Sequence, residues 1–188
     1  MKTKLLLVGA GGFGRVALEH ALEQYDCAFV DDGPELGTLV NGVAVIGRIS
    51  DLQRLHDEAG YEQLVVTIGN NKLREEIYNK AKALGYSFPN IICISAYVSR
   101  YAELGSGCVL LNNVVVQNGA RVGDGVLLNP GVEVHHDSFV DDCSLIYTNS
   151  VVRTLAHVGR RVRIGSNVSI SNNVNIADDS DISNGTTL

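Results

Sequence analysis

Arg121-Val122-Gly123-Asp124-Gly125-Val126, Leu127-Leu128-Asn129-Pro130-Gly131-Val132 and Glu133-Val134-His135-His136-Asp137-Ser138 are three consecutive hexads built to one plan. The second place of each is aliphatic, and the sixth is small or valine. Followed outward, the aliphatic place recurs at every sixth residue from Val98 to Leu188, sixteen positions that are all Val, Ile or Leu. In a chain of this composition such a run has odds on the order of 10⁻⁸ of arising by chance. A second register lies two residues before each of these positions. It runs from Ala102 and Cys108 through Ser138, Ser144 and Ser150 to Thr186, and holds only small residues or valine. Strand residues two apart face the same side, so each hexad sends one branched and one small side chain inward and bends at its polar remainder. Gly105, Asn112, Gly123, Asp141, Gly159 and Asn173 mark those bends, where tight or left-handed backbone is wanted. A period of six fits neither an amphipathic helix nor an open sheet. It predicts a parallel β-helix over 98–188.

Residues 1–97 follow a different rhythm. Strands are expected at 4–8, 28–30 and 64–68, helices at 13–23, 50–58 (with Ser50 as N-cap) and 71–84, and a last strand at 91–94. Strands alternating with helices predict a small parallel α/β layer, about half of a doubly wound nucleotide-binding fold. Gly9-Ala10-Gly11-Gly12-Phe13-Gly14 has the G-x-G-x-x-G form between strand and helix, with Asp31 seventeen residues after Gly14. Such glycines let backbone N–H groups approach an anion at a helix N-terminus, which points to a nucleotide ligand. A tight turn alone would carry the same residues. NAD fits poorly, because only half of the usual sheet is present and no oxidoreductase domain follows.

The formal net charge of −6 over 188 residues argues against a general binder of nucleic acid or of an anionic membrane surface. Aromatic residues make up 6% and tryptophan is absent, which argues against stacking on single strands. The apolar opening dies at Gly9, too short for a signal peptide, and no stretch approaches a membrane span. Cys27, Cys93, Cys108 and Cys143 form no metal-ligand pair and are expected as reduced thiols of a cytoplasmic protein.

Taken together, the motifs resemble one family. The glycine turn at 9–14, the Phe29-Val30-Asp31-Asp32 strand end, Gly42-Val43-Ala44-Val45-Ile46-Gly47, Ile68-Gly69-Asn70-Asn71-Lys72-Leu73-Arg74 and aliphatic-glycine hexads such as Leu104-Gly105 and Ile164-Gly165 carry the likeness. The chain resembles the NeuD-type sugar acyltransferases over essentially its whole length. These hexapeptide-repeat enzymes acetylate sialic acids or nucleotide-activated amino sugars for bacterial surface glycans. The resemblance implies a left-handed coil with three faces, against the usual right-handed crossover, so that three hexads make a turn of about 18 residues and the coil has about five turns. It also implies a Rossmann-like domain at 1–97 holding the nucleotide-sugar, and a homotrimer with acetyl-CoA, the co-substrate, between neighbouring β-helices.

The catalytic base of the family maps onto His136, two residues after the inward Val134, and its acidic partner onto Asp137. Histidine suits the removal of a proton as an amine or hydroxyl attacks a thioester, and a neighbouring carboxylate can orient the ring. By the same resemblance, substrate contacts fall on Gly9, Gly11, Gly12, Phe13, Gly14, Asp31, Asp32, Gly69, Asn70, Arg74 and Asn129. Cofactor contacts fall on Thr154, through a backbone N–H, and on Leu145, which stands where many members carry a histidine. They fall also on Asn184, where a family strand and tail near acetyl-CoA would follow. The last residue, Leu188, is an inward position, and the expectation is either that partner subunits cover the open coil or that the end is naturally abbreviated. Two alternatives use the same residues. A γ-carbonic-anhydrase-like hydratase would hold zinc through His135, His136 and His157, although adjacent strand side chains diverge. A non-catalytic nucleotide-sugar-binding trimer would keep the fold without turnover.

Overall fold

The computed structural model describes residues 2–188. The chain divides into two compact units, Met1–Ile91 and Ile92–Leu188. The division lies six residues before Val98, because the coil register begins one hexad earlier, with the rung Ile91–Ile92.

In the first unit a five-stranded sheet has the order β3-β4-β2-β1-β5. Its strands are β1 (Thr3–Val8), β2 (Tyr25–Val30), β3 (Leu39–Val40), β4 (Val43–Gly47) and β5 (Gln63–Val66). β1 pairs in parallel with β2 and β5, and Leu5, Leu6, Leu7 and Val8 are all fully buried. Burial on both faces is what a continuous apolar run in a central parallel strand predicts. β3 and β4 form an antiparallel edge hairpin through Asn41 and Gly42, both with positive φ as a type I′ turn needs. Helices α1 (Gly12–Ala21), α2 (Leu52–Asp57) and α3 (Asn71–Ala83) complete the layer. The helix expected from Ser50 opens instead as a 3₁₀ turn, Ile49–Asp51. Asp51 Oδ2 accepts the Arg48 N–H at 2.8 Å, so Ser50 lies inside the turn and is not its cap. Among the described residues no helix is long and apolar enough to cross a membrane.

The second unit is a left-handed parallel β-helix with three sheets of two-residue rungs. The first face stacks Tyr97–Val98, Val115–Val116, Glu133–Val134, Val151–Val152 and Ser169–Ile170. On the second face Glu103–Leu104 begins a stack that continues through Arg121–Val122, Phe139–Val140, His157–Val158 and Asn175–Ile176. The third holds Ile91–Ile92, Val109–Leu110, Leu127–Leu128, Leu145–Ile146, Arg163–Ile164 and Asp181–Ile182. Val116 pairs with Val134 and Val134 with Val152, an 18-residue step. Both inward registers fill the bore: Val116, Val134, Val140, Ile146, Val152 and Ile164 have 0% exposure, as do Val114, Val126 and Val132. Each such side chain contributes about 2 kcal/mol of transfer free energy before entropy is counted. Small hydroxyls in the second register are paired both ways. Ser144 Oγ donates to Gly159 O (2.8 Å) and accepts from Val162 N (3.0 Å), and Ser150 repeats this with Gly165 O (2.7 Å) and Val168 N (3.0 Å). A buried hydroxyl is tolerated on those terms. Every sixth residue from Gly107 to Gly185 turns a corner with φ between +54° and +72°.

Candidate active site

The chain leaves β1 through Gly9 (φ +110°) and enters α1, whose N-cap is Gly11. A Cβ on Gly14 would lie 1.8 Å from the Gly9 carbonyl oxygen, so only glycine lets helix and turn close together there. Cβ atoms on Gly11 or Gly12 would meet nothing within 4 Å. The open side of the turn is therefore backbone at the start of α1, where no side chain caps the helix. Such N–H groups suit an anion.

The polar side chains around this turn have partners within the protein. Asp31 Oδ2 accepts from Ala10 N (2.7 Å) and Oδ1 from Gly33 N (2.8 Å), while Asp32 Oδ1 accepts from Ile49 N (2.9 Å). Thr67 Oγ1 binds the carbonyl of Val8 at 3.0 Å and that of Gly9 at 2.9 Å. Asn70 caps α3 by accepting the Leu73 N–H (3.0 Å). Arg74 is fully buried and donates to Ile68 O (2.7 Å) and Asn71 Oδ1 (2.8 Å). Phe13 is half-buried and Gly69 exposed.

In the second unit, the corner between the first and second faces stacks Gln117-Asn118-Gly119, His135-His136-Asp137 and Arg153-Thr154-Leu155 on successive turns. His136 makes three hydrogen bonds. Its Nδ1 meets Asp137 Oδ2 at 2.9 Å, its Nε2 meets Thr154 Oγ1 at 3.0 Å, and its backbone N–H donates to Gln117 Oε1 at 3.1 Å. Asp137 occupies the left-handed corner place (φ +58°), which aspartate tolerates better than most residues. A Cβ on Gly119 would lie 2.4 Å from Asp137 Oδ1, so glycine one turn below leaves room for the carboxylate. The His136 and Asp137 side chains are half exposed, at 53% and 59%, and line a cavity of about 450 Å³ with Gln117 and Asn118. A carboxylate only accepts, so Nδ1 carries a ring proton, and in the neutral imidazole Nε2 then keeps its lone pair. Such a ring can take a proton from a nucleophile. The backbone N–H of Thr154 makes no hydrogen bond among the described residues, leaving a donor beside the ring for a developing oxyanion.

The three histidines of the coil do not converge. His135 Nε2 pairs with Glu133 Oε2 at 3.0 Å, and His157 stacks on Phe139 with centroids 4.9 Å apart on the second face. Among the described residues no group of three or more His, Cys, Asp or Glu is arranged to hold a metal. Burial pushes the Cys108 thiol up to about 12, which removes it as a nucleophile at neutral pH. Asn129 and Asn184 lie at the corner between the third and first faces, where Asn129 Nδ2 donates to Ile146 O (3.2 Å) and Asn184 Oδ1 accepts from Ser166 N (2.8 Å). Leu145 is buried on the third face, 2% exposed. Within one chain none of these three stands at the His136 corner. Sequence reasoning passes over Gln117 and Asn118, although the 18-residue repeat is a signal that places Asn118 one turn below His136.

Residues 4–81 match the family model of the PglD N-terminal domain. Among curated protein sequences none matches significantly. The solved structures include a mutant perosamine N-acetyltransferase from Caulobacter crescentus in complex with CoA and GDP-perosamine. It is similar to this chain at 28% identity and a TM-score of 0.93, over 98% of this chain and 88% of that one. The acetyltransferase domain of PglB from Neisseria gonorrhoeae is 31% identical with a TM-score of 0.93, over 100% of this chain and 91% of that one. The same domain in complex with acetyl coenzyme A is 32% identical with a TM-score of 0.87, over 100% and 96% of the two chains. Likeness of this extent spans both units and the glycine turn as well as the coil. The chain belongs to the NeuD/PglD-type sugar acetyltransferases.

Proposed function

We propose that the protein transfers the acetyl group of acetyl-CoA to an amino group of a nucleotide-linked sugar, with His136 as general base. The observation that carries this is the Asp137–His136 pair, whose Nε2 keeps its lone pair at the edge of the corner cavity. The acceptor nitrogen attacks the thioester carbonyl as His136 takes its proton, and the CoA thiolate leaves with that proton restored to sulfur. Asp137 holds the ring orientation and balances the imidazolium. The free N–H of Thr154 steadies the oxyanion. An amine is favoured over a hydroxyl because a similar structure is that of a perosamine N-acetyltransferase in complex with CoA and GDP-perosamine. A sialic acid hydroxyl is the other acceptor to try.

The nucleotide phosphates would lie against the backbone of the glycine turn, where Gly11 and Gly12 leave open space. A homotrimer would put acetyl-CoA between neighbouring coils, and a cytoplasmic location would supply both substrates. The test is a CoA-release assay over a panel of nucleotide-linked amino sugars, comparing wild type with His136→Ala. Turnover should fall at least about 10²-fold, the usual contribution of a general base. Undiminished turnover removes His136 from that role. No turnover of any acceptor by wild type, with nucleotide-sugar binding intact by calorimetry, would favour a non-catalytic binding protein.

A further inference from the structure

We propose that the Thr154 hydroxyl relays the proton between the sugar acceptor and His136. The inference rests on His136 being the base and names the path by which the proton reaches it. Asp137 engages Nδ1, so only Nε2 can receive a proton. An imidazole nitrogen has one in-plane lone pair, and Thr154 Oγ1 already stands on it at 3.0 Å. An acceptor must therefore either evict the hydroxyl or pass its proton through it.

The backbone around Thr154 argues against eviction. Its carbonyl accepts the Asn173 N–H at 3.2 Å, and the next residue, Leu155, is fixed at φ +61°. That left-handed conformation is unfavourable for a leucine, and the corners one turn away hold Asp137 and Asn173, which tolerate it better. A β-branched side chain on a pinned corner has few rotamers to move into. The hydroxyl is both donor and acceptor, which is what a relay requires. The acceptor nitrogen bonds to the acetyl carbon and its proton passes to Oγ1, while the threonine proton passes to Nε2. The C–S bond then breaks, and the imidazolium returns its proton through the same hydroxyl to the CoA sulfur. Threonine ends unchanged and carries no acetyl group at any stage.

Thr154→Val keeps the shape and removes the hydroxyl, whereas Thr154→Ser keeps the hydroxyl. In single-turnover acetylation of a nucleotide-linked amino sugar, Thr154→Val should lose about 10²-fold in the chemical rate with KM unchanged. Thr154→Ser should stay within a few-fold of wild type. Rates measured across H₂O/D₂O mixtures should bow downward for wild type and Thr154→Ser, as two protons in flight require, and run straight for Thr154→Val. A Thr154→Val enzyme as fast as wild type, or a straight plot for wild type, overturns the relay and leaves the hydroxyl as a place-holder. If Thr154→Val fails to fold, the wild-type and Thr154→Ser plots still decide. His136→Ala separates the two claims. Full activity there removes the base and the relay together, whereas an inactive His136→Ala beside a fully active Thr154→Val removes the relay alone.

Discussion

At the glycine turn of the first unit, Asp31, Asp32, Asn70 and Arg74 all bond to their own protein, and what faces outward is backbone. At the histidine corner of the second unit, Asp137, His136 and Thr154 bond in a chain to one another, half exposed beside a cavity. Both regions carry polar residues at family motif positions, yet they put those residues to opposite uses. In the turn they brace a backbone surface that an anion can approach. In the corner they form the surface that is proposed to react. Damage to the first should therefore appear as lost stability, and damage to the second as lost turnover at unchanged stability.

Gly14→Ala is the strongest test of that contrast. Alanine improves helix propensity by about 1 kcal/mol over glycine. Its Cβ, however, would lie 1.8 Å from the Gly9 carbonyl oxygen, an overlap between backbone-fixed atoms that no rotamer change relieves. The overlap wins, at a net cost of about 3 kcal/mol or more. Urea denaturation followed by circular dichroism should show it, while His136→Ala unfolds within about 0.5 kcal/mol of wild type. A Gly14→Ala protein of normal stability that has lost only nucleotide-sugar affinity would break the comparison.

How far these roles can be read in the sequence differs between the two regions for a physical reason. Along the coil each residue's place is set by the six-residue period, so the inward registers, the faces and the corner holding His136 all follow from counting. The same counting stacks Asn118, His136 and Thr154 in one column. It does not reveal that the Thr154 side chain, and not only its N–H, meets the ring, because that depends on a rotamer and a pinned carbonyl. In the α/β unit, strands and helices follow from apolar runs and caps, but Arg74, a substrate contact by resemblance, lies in a charged amphipathic stretch that gives no sign of its burial. It is fully buried instead, bonded to Asn71 one turn back on its own helix and to the carbonyl of Ile68 in the loop before it, whose path no local pattern dictates. Likewise Asp31 has the spacing of a ribose ligand, while its oxygens are taken by Ala10 and Gly33.

Arg74→Met sharpens the contrast at intermediate size. Methionine fills much of the volume but leaves the Ile68 carbonyl and the Asn71 side-chain oxygen without the guanidinium, at a cost of about 2–3 kcal/mol. The measurement is the urea midpoint alongside KM for the nucleotide-sugar. A structural Arg74 predicts a lower midpoint with KM little changed under conditions where the variant is folded. A raised KM at full stability would instead make Arg74 a ligand contact and bring the two regions closer in character.

Asn70 gives the smallest effect and the cleanest separation of cap from contact. As N-cap of α3 it accepts the Leu73 N–H at 3.0 Å, so Asn70→Ala should cost about 1 kcal/mol. Asn70→Asp keeps the acceptor and adds a negative charge at the positive end of the helix, so its stability should equal or exceed that of wild type. That second variant is the informative one, since it preserves the cap while adding charge at the start of α3 in the unit proposed to hold the nucleotide. If Asn70 only caps, thermal unfolding ranks Asp at or above Asn, and both above Ala, with KM for the nucleotide-sugar equal in all three. If KM rises for Asn70→Asp while its stability holds, Asn70 or the space beside it meets the ligand. The first unit would then read substrate with a side chain after all, as the corner is proposed to do.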